Sequence, residues 1–164
     1  MKFVSVQELS ALGKAYVALP VHDNDVYYRI PGRLQAESYV EMANSEIEPT
    51  NDKDGNFDMY STGPAILDYN IQVDEAGSYT LKFRVSDSGK GIEILKDGKT
   101  LGTTARTQYV RTDMGWQVVE ATVQLAAGPQ TIRIHTGGQT LNWIEFSKAA
   151  AAAATATPAA GTPK

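Results

Sequence analysis

The sequence contains no cysteine and only two histidines, His22 and His135. Disulfides and thiol chemistry are therefore closed to it, although many secreted bacterial-type domains lack disulfides and the absence fixes no compartment. Two histidines without a His-x-x-x-His pair supply no ligand set for a zinc hydrolase. No Gly-x-Ser-x-Gly elbow appears, and no glycine-rich phosphate loop opens a helix. Basic blocks are missing too. Fifteen Lys and Arg stand against 19 Asp and Glu, a formal net charge of -4, so binding to nucleic acid or an anionic membrane has no electrostatic basis. The first 32 residues lack the charged start, unbroken apolar run and small-residue cleavage site of a signal peptide. Scattered carboxylates are what remains for glycosidase-style acid/base work, and in an acidic β-domain such residues are usually solvated loop charges.

What the sequence has is alternation. Leu67, Tyr69, Ile71 and Val73 alternate with Asp68, Asn70 and Gln72; Tyr79, Leu81, Phe83 and Val85 alternate with Thr80, Lys82 and Arg84. A period of two marks half-buried antiparallel strands, and Asp74-Glu-Ala-Gly77 supplies turn formers for a short hairpin loop between them. A hairpin cannot bury its own apolar face, so another sheet must cover it.

The rest of the chain continues in this vein. Residues 6–18 are compatible with a short helix or with a strand begun near Ala15, and Pro20 ends either. Residues 1–25 read as a linker or the end of a neighbouring domain. Residues 26–30 form a short strand closed by Pro31-Gly32, and residues 33–42 a strand with Gln35 and Glu37 on one face. Residues 43–56 form a long polar loop, of the sort that is usually functional or mobile. Residues 91–95 and 100–104 flank Asp97-Gly98, a strong type I′ hairpin signal. Residues 118–125, 130–135 and 141–146 complete the series. Many short strands, regular turns and no internal helix predict an all-β sandwich or jelly roll over residues 26–148. Residues 149–164, six alanines and then Thr, Pro and Gly, read as a linker towards another module.

Two aromatics stand out by position. Tyr60 is expected in a loop beside Ser-Thr-Gly-Pro64, and Trp116 opens a strand directly after the polar Arg111-Thr-Asp-Met-Gly115. Rings at loop ends of a β-scaffold can hold a sugar, whose axial C–H groups pack on a π-face while its hydroxyls need amide or carboxylate partners. Asn142 offers both a donor and an acceptor. Residue type alone slightly favours a plainer role, boundary aromatics of a sandwich.

The segment Arg33–Phe146 resembles a family 6 carbohydrate-binding module. The resemblance is carried by Leu34-Gln-Ala-Glu-Ser-Tyr39, the run Tyr69–Val85, Gly115-Trp-Gln117, Leu125-Ala-Ala-Gly-Pro-Gln-Thr-Ile-Arg133 and Leu141-Asn-Trp-Ile-Glu-Phe146. Together, in this order and spacing, these are specific. It implies a non-catalytic jelly roll from a secreted protein, attached to a glycoside hydrolase and presumed monomeric. Such a module binds xylan, a β-glucan or an agar-type galactan through an aromatic sandwich in the apical loops. The matching positions are Tyr60, Trp116 and Asn142, with Phe57 the alternate ring because Met59-Tyr-Ser-Thr-Gly-Pro64 departs from the family pattern. It also implies a structural calcium ion, with Gln35 and Glu37 at the matching positions and Glu145 as a third ligand from the last strand; hard oxygens suit calcium. A structural or adhesive β-domain that binds protein is the rival reading, and a small glycan-active enzyme the third.

Overall fold

The computed structural model describes residues 26–150. Residues 1–25, expected from the sequence to be a linker or the end of a neighbouring domain, and 151–164, expected to be linker, lie outside the described residues. The described residues form twelve strands, beginning with β1 (Tyr28–Ile30), β2 (Gly32–Gln35), β3 (Glu41–Ala43), β4 (Glu46–Pro49), β5 (Phe57–Tyr60) and β6 (Ile66–Val73). They continue with β7 (Gly77–Ser86), β8 (Glu93–Lys96), β9 (Lys99–Thr103), β10 (Gln117–Leu125), β11 (Gly128–His135) and β12 (Thr140–Lys148). One sheet runs β1-β6-β11-β8-β9, with β3 also on β6; the other runs β10-β7-β12-β5-β4, with β2 also on β12. The result is the all-β sandwich of jelly-roll type expected from the alternation.

The central pair of runs is not a hairpin. β6 pairs with β11, β1 and β3, whereas β7 pairs with β10 and β12 in the other sheet. The turn at residues 74–77 therefore carries the chain from one layer to the other. Leu67, Tyr69, Ile71 and Val73 join Tyr79, Leu81, Phe83 and Val85 in a single buried cluster. Both runs bury their apolar faces in the one core between the two sheets, which a flat hairpin cannot do. Burial of each such side chain contributes about 1.5–3 kcal/mol before the entropic cost.

Asp68 and Asn70, on the outer face of β6, are buried as well. Arg133 grips the Asp68 carboxylate with two bonds of 2.7 and 2.8 Å, and the Thr131 hydroxyl donates to Asn70 Oδ1 at 2.7 Å. Polar groups leave water here because each finds a partner on the neighbouring strand.

Residues 33–42 do not form one strand. β2 lies on β12 and β3 lies on β6, so the chain must change sheets between them. It does so in a 3-10 turn at Ala36–Ser38, anchored by the Tyr69 hydroxyl donating to the Ala36 carbonyl at 2.8 Å. Glu37 therefore sits in a buried turn, not on a strand face with Gln35. The long loop expected at 43–56 is also shorter: β4 occupies its middle and pairs with β5, whose last residue is Tyr60. By contrast, Asp97-Gly98 forms the expected tight turn between β8 and β9, with φ of 50° and 76°.

Candidate functional site

Tyr60 at the end of β5 and Trp116 just before β10 line one cleft of about 310 Å³ at the apical end of the second sheet. The approach to Trp116 is sharply bent. Asp113 (φ 52°), Met114 (φ 54°) and Gly115 (φ 92°) all adopt left-handed backbone, which costs free energy at the two non-glycine positions. This reversal leaves Met114 69% exposed and Trp116 only 3% exposed. The indole Nε1–H donates to Asn51 Oδ1 at 2.7 Å, so its polar atom is satisfied within the protein. Tyr60, at 38%, presents a free surface. The apolar surfaces open to a ligand are thus Tyr60 and Met114, with Trp116 as a wall behind them. Asp58, Asp87 and Thr140 supply polar groups to the same cleft.

Two loops shape this cleft, and Arg84 on β7 ties them together. Its guanidinium donates to both Asp52 oxygens at 2.8 and 2.9 Å and also to Asp113. The Arg84 and Asp52 side chains are 8% and 1% exposed. Burial pushes the Asp52 carboxyl up, but bonds from Arg84, Asn142 and the Lys53 backbone N–H outweigh it and hold it below the usual carboxylate range. Asp58 shows the reverse. Burial drives its carboxyl up to about 6, against a bond from Thr50, and the charges of Glu48, Glu37 and Asp52 add to the shift.

Asn142 is not in the cleft. It is fully buried beneath the loop at 51–56, its Nδ2 donating to Asp52 Oδ2 at 2.8 Å and to the Asp54 carbonyl. A register shift falls between Leu141 and Trp143, and Thr140, not Asn142, stands at the cleft. Asn142 Oδ1 and Gln35 Oε1 are buried acceptors without a hydrogen-bond partner. They converge on Gly55: a Cβ there would lie 2.6 Å from Asn142 Oδ1 and 3.4 Å from Gln35 Oε1. Gly55 also has φ of 102°, so both backbone and space require glycine.

Glu145, expected as a third ligand beside Gln35 and Glu37, lies elsewhere. It sits opposite Arg33 on β2 and accepts from its guanidinium at 2.8 Å, while Gln35 sits opposite Trp143. The strand partner nearest Glu145 is a cation, which takes up its charge. Phe57, the alternate ring, is absent from the cleft lining. The sequence reading missed Asp52, Asp58, Met114 and Thr140. An acidic loop signalled the first of these, but no periodicity marks a methionine held at a left-handed turn.

The comparisons agree with this architecture. The family model "Carbohydrate binding module (family 6)" matches residues 35–148. The chain is similar to the module of Cellvibrio mixtus lichenase 5A solved with cellotriose, at 26% identity and a TM-score of 0.63, covering 73% of this chain and 98% of that one. A β-1,3-glucan-binding family 6 module from Bacillus halodurans shares the fold at 24% identity and a TM-score of 0.65, over 76% of this chain and 100% of that one. A Bacillus subtilis family 43 arabinoxylan arabinofuranohydrolase, solved with cellotetraose, shares it at 17% identity and a TM-score of 0.62. That likeness covers 79% of this chain and 33% of the hydrolase. No curated protein matches the chain. With a two-sheet β-sandwich and a family match spanning most of its length, the chain belongs to carbohydrate-binding module family 6.

Proposed function

We propose that this module holds a polysaccharide in the apical cleft, without catalysis, and keeps an attached glycoside hydrolase of a secreted protein near its substrate. One observation carries the reading: residues remote in sequence, Tyr60 and Trp116, line a single cleft with carboxylates and a hydroxyl around them. A sugar ring stacks on Tyr60 and meets the Met114 thioether, while Asp58, Asp87 and Thr140 take its hydroxyls. Tethering then raises the local concentration of chain near the enzyme. The test is retardation in gels containing xylan, β-glucans or agarose. Tyr60→Ala and Met114→Ala should each weaken binding at least ~10-fold, a loss of about 1.4 kcal/mol, with little change in melting temperature because both side chains are exposed. Unchanged retardation of both variants would place the sugar elsewhere.

A structural calcium ion is part of the same proposal. Gln35, Glu37 and Asn142 are suited to it: two orphaned carboxamide oxygens lie around a glycine that leaves them room, and Glu37, two residues after Gln35, is a buried carboxylate. Among the described residues no three His, Cys, Asp or Glu side chains form a metal cluster, so the carboxamides are needed to complete an oxygen set of the type calcium accepts. Chelation should lower the melting temperature by roughly 5–10 °C and added calcium restore it, since a ligand at 100 times its Kd stabilises by about 2.7 kcal/mol. Gln35→Ala should abolish that shift and Glu145→Ala should leave it intact. A chelator-insensitive melting curve, with elemental analysis finding no bound calcium, sinks the assignment.

A further inference from the structure

A second cavity of about 640 Å³ shares one lining residue, Tyr60, with the cleft. It lies at the apical end, where the chain passes from β3 in one sheet to β4 in the other. Its sides are tied together: the Ser45 hydroxyl donates to the Tyr60 carbonyl at 3.0 Å, and the Asn44 carboxamide to the Pro64 carbonyl at 3.4 Å. Met42, 41% exposed, gives the groove an apolar surface beyond that of Tyr60. Glu46, Ser61 and Thr62 add oxygen acceptors and hydroxyls. Among the described residues no Lys, Arg or His lines either cavity, whereas Glu46, Glu48, Asp58 and Asp87 do.

We propose that this groove is a second part of the glycan site, so that an uncharged polysaccharide chain crosses Tyr60 and is gripped along an internal stretch. The inference rests on the carbohydrate reading of the cleft. Three features point to a continuing sugar chain as the occupant. The groove and the cleft share Tyr60, 38% exposed, in their linings. Its lining repeats the cleft's mixture of an exposed apolar side chain with hydroxyls and a carboxylate, which suits alternating sugar faces and edges. Its sides are held in place before binding, so little ordering is lost when a chain enters. A lining with carboxylates and no cation repels uronate or sulfate groups, which confines the occupant to neutral glycans.

The experiment is calorimetric titration of the full chain with cello-, laminari-, xylo- and agaro-oligosaccharides of two to six units. In the series that binds, affinity should rise at least ~10-fold from dimer to hexamer, and a hexamer capped at both ends should bind within about twofold of the uncapped one. Met42→Ala should remove most of the gain with length while leaving dimer affinity within about twofold. Gly63→Leu, whose new side chain meets open space, should do the same by narrowing the groove. An affinity that levels off at the dimer, loss of binding on capping, or a full length gain in Met42→Ala overturns the groove and leaves the cleft standing. Absence of binding by every series, short and long, overturns the cleft reading and the groove with it.

Discussion

Trp116→Ala is expected to lower folding stability by about 3–5 kcal/mol, the usual cost of emptying a buried tryptophan site, and to abolish glycan binding at the same time. The ring is 3% exposed and its N–H is bonded to Asn51, so the substitution leaves both a cavity and an unpaired acceptor. The family resemblance implied instead that Trp116 is one ring of an aromatic sandwich around the sugar. Trp116→Phe separates the two effects. It keeps most of the packing, forfeits the bond to Asn51 at about 0.5–1.5 kcal/mol, and retains binding if the indole acts as a supporting wall. Denaturant unfolding of both variants beside gel affinity is the measurement. A loss under ~1 kcal/mol in Trp116→Ala would show the ring to be a free platform after all.

Arg84→Ala should be comparably severe, on the order of 3–5 kcal/mol, because it strands the Asp52 carboxylate with 1% of its side chain exposed. Asp52→Asn in the Arg84→Ala background should recover part of the loss, since the uncompensated charge is then gone. The pH dependence has a definite sign. The folded-state Asp52 carboxyl is held below its usual value, so its contribution is present above the ordinary carboxylate pKa of about 3.9 and fades as pH falls through the lower folded value. The gap between wild type and Arg84→Ala should therefore be wide at neutral pH and close in acid. A gap independent of pH would remove Asp52 from the explanation. Glycan affinity should also fall in Arg84→Ala, because the loops carrying Asp52 and Asp113 lose their common anchor.

Much of the β architecture was legible because strand burial writes itself into the chain every second residue. The late strands fall where alternation placed them, and Asp97-Gly98 turns as its residue types require. Pairing was not legible. Leu67–Val73 and Tyr79–Val85 have the same pattern whether they lie side by side or face to face, and only the packing of two layers sends them to opposite sheets. The same ambiguity hid the break after Gln35: small and apolar residues at alternate positions suit a strand, and equally suit a turn that buries Ala36 and Glu37.

The site divides along the same line. Position and residue type brought forward Tyr60, Trp116 and Asn142 as candidates, and the family resemblance gave them weight and added Gln35 and Glu37. Which of them act together was decided by the fold. Asn142, at the register shift on β12, is buried beside Gln35, and Thr140 stands at the cleft. Strand pairing gives Glu145 to Arg33. The left-handed turn at Asp113–Gly115 drives Trp116 inward and leaves Met114 at the surface. By itself the sequence determined that this protein is an acidic, cysteine-free β-sandwich with aromatics near its loops, since composition and period two are local properties. The tertiary structure alone decided which side chains meet, because register, bulges and sheet changes arise from contacts between segments distant in the chain.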